Sequence, residues 1–537
     1  MINGHATKEV AVSVPRWKPP VKASVREKFI LKRCQKKRRL FAFLREHRHD
    51  LFNDDIQAEL ESMYRDTGAG KEPVAPALMA MALVLQGYLK VSDADAVEMT
   101  VVDLRWQMVL DCIGAEKPAF SQGALFEFRE RLIASDMDRR LLEHTARIAR
   151  ATKGFDAKKL PKTLRVAVDS SALEGAGRVE DTINLIAHAA RKVVDCAAQL
   201  LQIEADELCR RSGIPMLLET SIKKALDRDW SDPIQKAAAV EDLAKEVLSL
   251  ERWLDKNLGD EVKRPPLADL IEVLDNLVTQ DLEPDPDGER LQIGEGVAED
   301  RQISVEDPAM RHGRKSKSKR IDGYKRHVAR DMDGDAIVAC MVTPANQAEH
   351  EALPPLKADI EAQDLRIVEA HFDRAYIPSP AVQEIEAAGG RIICKPWRSR
   401  NGELFAKDDF SLNLRDHMIT CPAGTTVPIT LGKTAKFPAS TCDRCRLRDA
   451  CTSAGKGTGR TVSIAADEPL QQRMRKLAKT KAGRKKFRER VVVEHSLAHI
   501  GYRQGPRARY FGTRKNTFDL RRAAIIQNLE ITQRKAA

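Results

Sequence analysis

Residues 164–175 read LRVAVDSSALEG. Leu164, Val166, Ala167 and Val168 form a short, branched apolar run that stops at an aspartate, the texture of a buried strand carrying Asp169 at its carboxyl end. Downstream the pattern is helical over 179–280, in LIAHAARKVVDCAAQLLQIEADELCRR and AAAVEDLAKEVLSLERWLDKNL, before the Pro- and Asp-rich linker LEPDPDGER at 282–290. Strand texture resumes in IDGYKRHVARD (321–331) and DAIVACMVTPA (335–345), joined by the turn sequence MDGD. A helix over 348–363, the strand RIVEAHFD (366–373), a second helix and the strand RIICKP (391–396) follow. The order strand, hairpin, helix, strand, helix, strand predicts a mixed α/β sheet with a long helical insertion after its first strand.

Upstream, residues 1–23, with Pro15, Pro19 and Pro20, read as a flexible leader, and 24–150 as helices throughout. ALMAMALVLQGYL (77–89), SDADAVEMTVVDLRWQMVLDC (92–112) and SQGALFEFRERLI (121–133) carry apolar residues at helical spacing, with Ser92 and Ser121 as N-caps. Such helices with a basic flank suit a DNA-binding module and a plain helical bundle almost equally. After Trp397 a turn-rich segment runs to 466, and 470–501 and the tail read as helix again.

The 537 residues, 42% hydrophobic and 31% charged, imply a globular chain of several domain-sized units. No apolar run is long enough to cross a bilayer, and MINGHATKEVAVS is no secretion signal. Lys plus Arg number 90 against 79 acids, a net +11 that suits a polyanionic partner. The excess concentrates in Arg16–Arg48, with KRCQKKRR at 32–39, and in Arg473–Arg522, with RMRKLAKTKAGRKKFRER; an acidic linker spans 281–306. Any such run can also be a solvated helix face.

Three acids stand out by context: Asp169 ends VAVD, Asp373 ends IVEAHFD, and Glu494 lies in FRERVVVEHSLAHIGY. Gathered by a sheet, they would repel unless a cation neutralised them, and hard divalent ions are the natural occupants. His312, His327, His371 and His495 lie near these motifs and are read as hydrogen-bonded structural residues. Of ten cysteines, Cys34, Cys112, Cys196, Cys209, Cys340 and Cys394 are scattered and read as small buried hydrophobes. The other four cluster: Cys421, then after 20 intervening residues Cys442-Asp-Arg-Cys445, then Cys451. The C-x2-C pair suits one tetrahedral ion, so structural Zn2+, an iron–sulfur cluster or unliganded thiols are the readings. With few apolar residues between 421 and 460, a metal would supply most of that segment's folding free energy.

In these motifs the chain resembles bacterial insertion-sequence transposases of the DDE superfamily. The stretch around Asp169, DPAMRHGRKSKSKRIDGYKRHVARD (307–331), VTPANQAEH (342–350), HFDRAYIPSPAVQEIEAAGGRIICKP (371–396) and FRERVVVEHSLAHI (487–500) carry the resemblance, over most of 30–530. It implies an α/β ribonuclease-H-like catalytic domain with a large helical insertion, preceded by an all-α N-terminal domain. The expected division is leader 1–23, helical DNA-binding domain 24–150, first part of the catalytic domain 160–396 (insertion about 179–280), cysteine-rich insert 397–466, and basic glutamate helix with C-terminal helix 467–537. Asp169, Asp373 and Glu494 would be the catalytic acids and hold two Mg2+ ions. Cys421, Cys442, Cys445 and Cys451 match a cysteine-rich insert that some such transposases carry.

The family's helix signature is Tyr, Arg three later, Glu four after that and Lys seven further on; here the positions are Phe487, Arg490, Glu494 and Gly501. The Arg490–Glu494 pair keeps its i,i+4 spacing, and Arg503 or Arg507 stand as replacements for the missing lysine at the phosphate, so Arg490, Arg503 and Arg507 are the DNA-binding residues that the resemblance implies. After Asp373 the family's glycine turn is replaced by Arg374-Ala375-Tyr376. The resemblance implies binding of the element's terminal repeats, Mg-dependent strand cleavage and strand transfer, double-stranded DNA as partner, a homodimer that synapses two ends, and a cytoplasmic, nucleoid-associated location. A transposase-derived DNA-binding protein without catalysis, or a hydrolytic nuclease of the same fold, are the alternatives.

Overall fold

The structure, a computed structural model, describes residues 14–64, 72–151, 160–219, 221–284, 291–294, 296, 298–315, 318–397 and 399–536. Among the described residues eight helices come first: α1 (Val25–Lys37), α2 (Arg39–Leu51), α3 (Asp54–Glu61), α4 (Pro76–Leu89), α5 (Asp93–Val102), α6 (Leu104–Leu110), α7 (Gln122–Ala134) and α8 (Met137–Arg150). Ser92 and Ser121 accept the amides of Asp95 (3.0 Å) and Ala124 (3.1 Å), so the expected N-caps are in place. Residues 1–13 of the expected leader lie outside the described residues, but its remainder is docked rather than flexible. Trp17 is buried edge-on against Phe52, its amide donates to Gln57 Oε1 (2.8 Å), and Gln57 Nε2 donates back to its carbonyl (3.1 Å).

The first strand, β1 (Thr163–Glu174), is followed by the insertion: α9 (Thr182–Leu201), α10 (Ala205–Ser212), α11 (Ile222–Leu226), α12 (Pro233–Leu258) and α13 (Leu267–Asp281). Val193, Leu208, Leu243, Leu250 and Leu274 give these helices an apolar core of their own. The insertion exits through a small hairpin, β2 (Leu282–Pro284) with β3 (Leu291–Ile293); part of the expected linker, 285–290, lies outside the described residues.

Then come β4 (Arg311–Arg314), β5 (Arg320–Asp331), β6 (Ile337–Pro344), α14 (Leu353–Glu361), β7 (Arg366–His371), α15 (Pro380–Ala387) and β8 (Arg391–Ile393). They form a six-stranded sheet in the order β4-β5-β1-β7-β8, with β6 also on β5. β5 pairs antiparallel with β1, β4 and β6, whereas β1–β7 and β7–β8 are parallel. At the far end of β1, Gly323 has φ +149°, and a Cβ there would lie 2.2 Å from the Gly175 nitrogen, so only glycine fits that crossing. One face of the sheet, with Leu164, Val166, Val168, Ala370 and Phe372, packs on α14 and α15.

The segment expected as a cysteine-rich insert holds β9 (Ser411–Asn413), β10 (Met418–Thr420), β11 (Thr426–Pro428), β12 (Thr434–Lys436), α16 (Ala439–Asp443), α17 (Arg448–Cys451) and β13 (Thr461–Ser463). Its apolar content is greater than expected. Phe410, Ile419, Val427, Ile429, Phe437, Val462 and Ile464 are buried together, several of them just outside the 421–460 window on which the expectation rested. The basic helix expected over 470–501 is three: α18 (Glu468–Lys479), α19 (Lys481–Arg488) and α20 (Val491–Gln504), before α21 (Thr513–Ala536). The N-terminal helices share their core with α21. Phe518, Leu520, Ile526 and Leu529 join Phe41, Leu44, Met81 and Trp106, and the cluster continues through Val493 and Leu497 to Ala167, Val328 and Cys340 of the sheet.

Candidate active site

Asp169 is not at the end of its strand: β1 continues to Glu174 because β5 pairs with it as far as Glu174↔Gly323. What ends near Asp169 is the parallel neighbour, since the β1–β7 register runs Arg165↔Glu369, Ala167↔His371 and then stops. Asp169 and Asp373 each lie two residues beyond that last pair. Side chains of a strand alternate faces and paired strands lie about 4.8 Å apart, so the register brings both acids to one face at the edge where pairing ceases. A register shift between Leu164 and Arg165 sets this parity, turning Ile367 to the α14–α15 side and Glu369 and His371 to the other. Asp373 Oδ1 also accepts the Arg374 amide (2.7 Å), opening a short 3-10 turn over Arg374–Tyr376.

The third acid arrives on α20, which lies across that same face through Val493, Leu497 and Ile500. The connecting group is Arg490, at the junction of α19 and α20. Its guanidinium donates to Asp169 Oδ2 (2.6 Å) and Glu494 Oε1 (2.9 Å), so the i,i+4 pair expected from the sequence forms and reaches the sheet as well. The side chains of Asp169 and Arg490 are 16% and 18% exposed and that of Glu494 is 49% exposed, an opening on the Glu494 and Asp373 side. Burial holds the Asp169 carboxyl above its ordinary range, against Arg490 and the Ser170 amide, and the Glu494 carboxylate adds to this. Arg490 loses by burial but gains more from Asp169, Asp373 and Glu494, and stays above its ordinary range.

Two buried networks fix these groups. Beneath Asp169, Ser170 Oγ donates to Glu349 (2.6 Å), and the fully buried Tyr376 meets His327 Nδ1 (2.9 Å), whose Nε2 meets Thr343 Oγ1 (3.0 Å). Burial pushes His327 down to about 3, so it is a neutral structural residue. Tyr376 thus pins the turn after Asp373 by packing, where the sequence departs from a glycine turn. On the site's own face, Glu369 is fully buried and meets Arg165 (2.9 Å), Lys486 (2.8 Å), His371 (2.9 Å) and Arg391 (3.0 Å). Burial opposes its charge, yet Lys486, His371 and Arg165 bring it down to about 2. Arg165 and Lys486 also reach Glu489, next to Arg490. No motif singles out Arg165 or Glu369 in the sequence, although each lies four residues before Asp169 or Asp373 and therefore on the same face.

Arg503 and Arg507, expected to contact DNA, are engaged internally. Arg503 pairs with Glu530 and lies over the Tyr88 ring, and Arg507 donates to the carbonyls of Gly175 (2.9 Å) and Ala176 (3.0 Å). Phe487 packs against the α14–α15 side core, and the position of the family's lysine, Gly501, leaves 3.8 Å between a Cβ and Arg326.

Cys421, Cys442, Cys445 and Cys451 line one pocket, and the amides of Leu447 and Arg460 point at the sulfurs of Cys445 (3.4 Å) and Cys442 (3.5 Å). Burial raises the Cys451 thiol, with the three other thiols adding to it and Arg460 opposing. Among the described residues, three ligand atoms lie within 4.8 Å of one another at Glu180–His188–Glu306 and at Glu369–His371–Glu489. Neither the thiols nor the three acids form so tight a set. The second triplet already holds Lys486 and Arg165, and in the first His188 bridges its two carboxylates through opposite ring nitrogens.

Two carboxylates bonded to one guanidinium, with a third acid on the same face of the sheet and a basic helix beside them, make up the candidate site. Two family models match the chain: a transposase DDE domain over residues 420–531 and a transposase domain (DUF772) over residues 31–131. No curated protein and no solved structure matches it. Together the two matches indicate an insertion-sequence transposase of the DDE type, for which DNA is the partner and a divalent metal the implied cofactor. The first match contains Glu494 and the four cysteines, and neither reaches Asp169 or Asp373. Among the described residues no helix is long and apolar enough to cross a membrane.

Proposed function

We propose that this transposase binds the terminal repeats of its element and carries out Mg-dependent strand cleavage and strand transfer at Asp169, Asp373 and Glu494, on a ribonuclease-H-like catalytic domain. The observation that carries the reading is that carboxylates from β1 and α20 are bonded to one guanidinium, with Asp373, just past β7, near enough to add to its charge. The mixed sheet, antiparallel over β6-β5-β1 and parallel over β1-β7-β8, supports the fold assignment.

The donor set fits a hard divalent ion: oxygen ligands only, two of them at an open edge, with a cation already stabilising their charge. Mg2+ held there supplies the Lewis acidity that phosphodiester chemistry requires. The chain's own contribution is placement. Tyr376 and Ser170 fix the two strand acids, and the Glu369 cluster fixes the α19–α20 junction that presents Glu494. Exposed Lys476, Lys479, Lys481, Lys485 and Arg488 on α18 and α19 have no ion pair among the described residues and lead into that junction, suited to the DNA backbone. Residues 24–150 carry a second cationic surface on α1, the basis for assigning DNA binding there. We assign structural Zn2+ to Cys421, Cys442, Cys445 and Cys451, and a homodimer to synapsis of two ends.

The test is a strand-transfer assay on DNA flanking the gene, run with wild type and Asp373→Asn. Mg-dependent cleavage and joining that the variant lacks is the expected result. Hydrolysis without joining would make the chain a nuclease, and end binding without any cleavage a pure DNA-binding protein.

A further inference from the structure

Arg490 does more than line the site. Among the described residues it is the one cation bonded to both Asp169 and Glu494, through separate nitrogens, and Asp373 also contributes to its charge balance. The neighbouring cations are placed differently: Arg165 and Lys486 hold Glu369, whose side chain is fully buried. Of the two carboxylates that Arg490 holds, Glu494 is 49% exposed and Asp169 only 16%, so solvent reaches the pair from the Glu494 side, where Asp373 is exposed as well. Arg490 also precedes α20, at the break after α19, so its side chain can leave without disrupting a helix interior.

We propose that Arg490 is a place-holding cation, competing with divalent metal for Asp169 and Glu494 in the DNA-free protein and freed by metal binding to contact a DNA phosphate. This rests on the reading of Asp169, Asp373 and Glu494 as metal ligands. A guanidinium 2.6 Å from Asp169 Oδ2 and a divalent ion at about 2.1 Å from the same oxygen would face each other as like charges a few ångströms apart. In a partly dry site that repulsion is not screened, so both cannot hold the acids at full strength. With Arg490 alone, the cluster is neutralised in part and the chain folds without metal. Once metal supplies the charge, the guanidinium turns to the nearest other anion, and a bidentate phosphate contact is what its fork geometry matches. Metal and DNA then reinforce one another, because each removes the competitor of the other.

The experiment measures Mn2+ binding to the full chain without DNA, by loss of the free-ion electron paramagnetic resonance signal. Arg490→Gln should bind Mn2+ about tenfold more tightly than wild type, whereas Arg490→Lys, which keeps a charge, should stay near wild type. Asp169→Asn placed in either background should remove the binding. If Arg490→Gln binds Mn2+ no tighter while Asp169→Asn still removes it, the competition is wrong and the acid site stands. If Mn2+ binding survives Asp169→Asn, or no binding occurs at all, the acid site itself is wrong. A measurement on wild type guards against a variant that folds poorly: Mg2+ should speed hydrogen exchange of the Arg490 guanidinium protons, and unchanged protection at saturating Mg2+ would overturn the proposal.

Discussion

At the scale of single residues, the three acids are held differently, Asp169 and Glu494 by Arg490 and Asp373 by the Arg374 amide, yet on the proposed reading their substitutions share one outcome. Asp169→Asn, Asp373→Asn and Glu494→Gln each remove the charge proposed to bind metal at nearly constant shape, and each should abolish strand cleavage while DNA binding persists. Single-turnover cleavage beside a gel-shift assay checks this; near wild-type cleavage by one variant removes that residue from the site. Glu369 should behave as a stability residue. Its carboxyl, at about 2, lies below the unfolded value, so the charge contributes stability above the ordinary carboxylate range that is lost as pH falls toward the folded value. The shift corresponds to roughly 3 kcal/mol. The stability gap between wild type and Glu369→Gln should be widest at neutral pH and close as pH falls toward 2, as followed by urea melts. The three proposed acids stand out in the sequence because each ends or sits beside an apolar run. Arg165, Glu369 and Tyr376 do not, since their importance comes from a parallel register and a buried turn that join distant segments.

At the scale of elements, the pattern of strands and helices from 321 to 396 was readable because each alternation of period is sharp there. The broken basic helix was not, as lysine and arginine are good helix formers and hide the breaks at Thr480 and at Glu489–Arg490. The cysteine segment shows the opposite error. Counting apolar residues within 421–460 missed that strands just outside that window close a small core around the thiols. A metal held there would therefore have a narrower role than the sequence implies. Purified protein should contain about one zinc per chain, and Cys442→Ser should release it. The loosened part should be 438–458, with β9–β11 still protected, so limited proteolysis should nick near the C-x2-C pair. Cleavage spreading through 410–436 would mean that the core depends on the metal after all.

At the scale of the molecule, the shared core changes what can be asked of the N-terminal helices. Because α21 is buried among them and also reaches the sheet, deleting residues 1–150 should expose that core and give insoluble protein rather than a catalytic domain free of its DNA reader. Solubility of the truncated chain is the check. Surface charge offers a cleaner dissection. Arg26, Lys28, Lys32, Arg33, Lys36, Lys37, Arg38 and Arg39 are all exposed without an ion pair among the described residues. The only acid of α1, Glu27, is turned inward to Arg45 (2.5 Å). Eight unopposed charges on one short stretch are large beside a chain total of +11, and Val25 and Phe29, 87% and 63% exposed, lie among them as apolar contacts. The second unopposed group, on α18 and α19, adjoins the acids. If α1 positions DNA and α19 serves the reacting strand, their variants should separate. Lys32→Glu with Lys36→Glu should weaken DNA binding and reduce the slope of log affinity against log salt by about 0.9 for each phosphate no longer neutralised. Cleavage at saturating DNA should hardly change. Lys481→Glu with Lys485→Glu should instead lower the cleavage rate even at saturation, because misplacing the backbone beside Glu494 acts on the bound complex. Identical effects of the two pairs on affinity and on the saturated rate would show that the chain presents one continuous DNA surface, not two with distinct tasks.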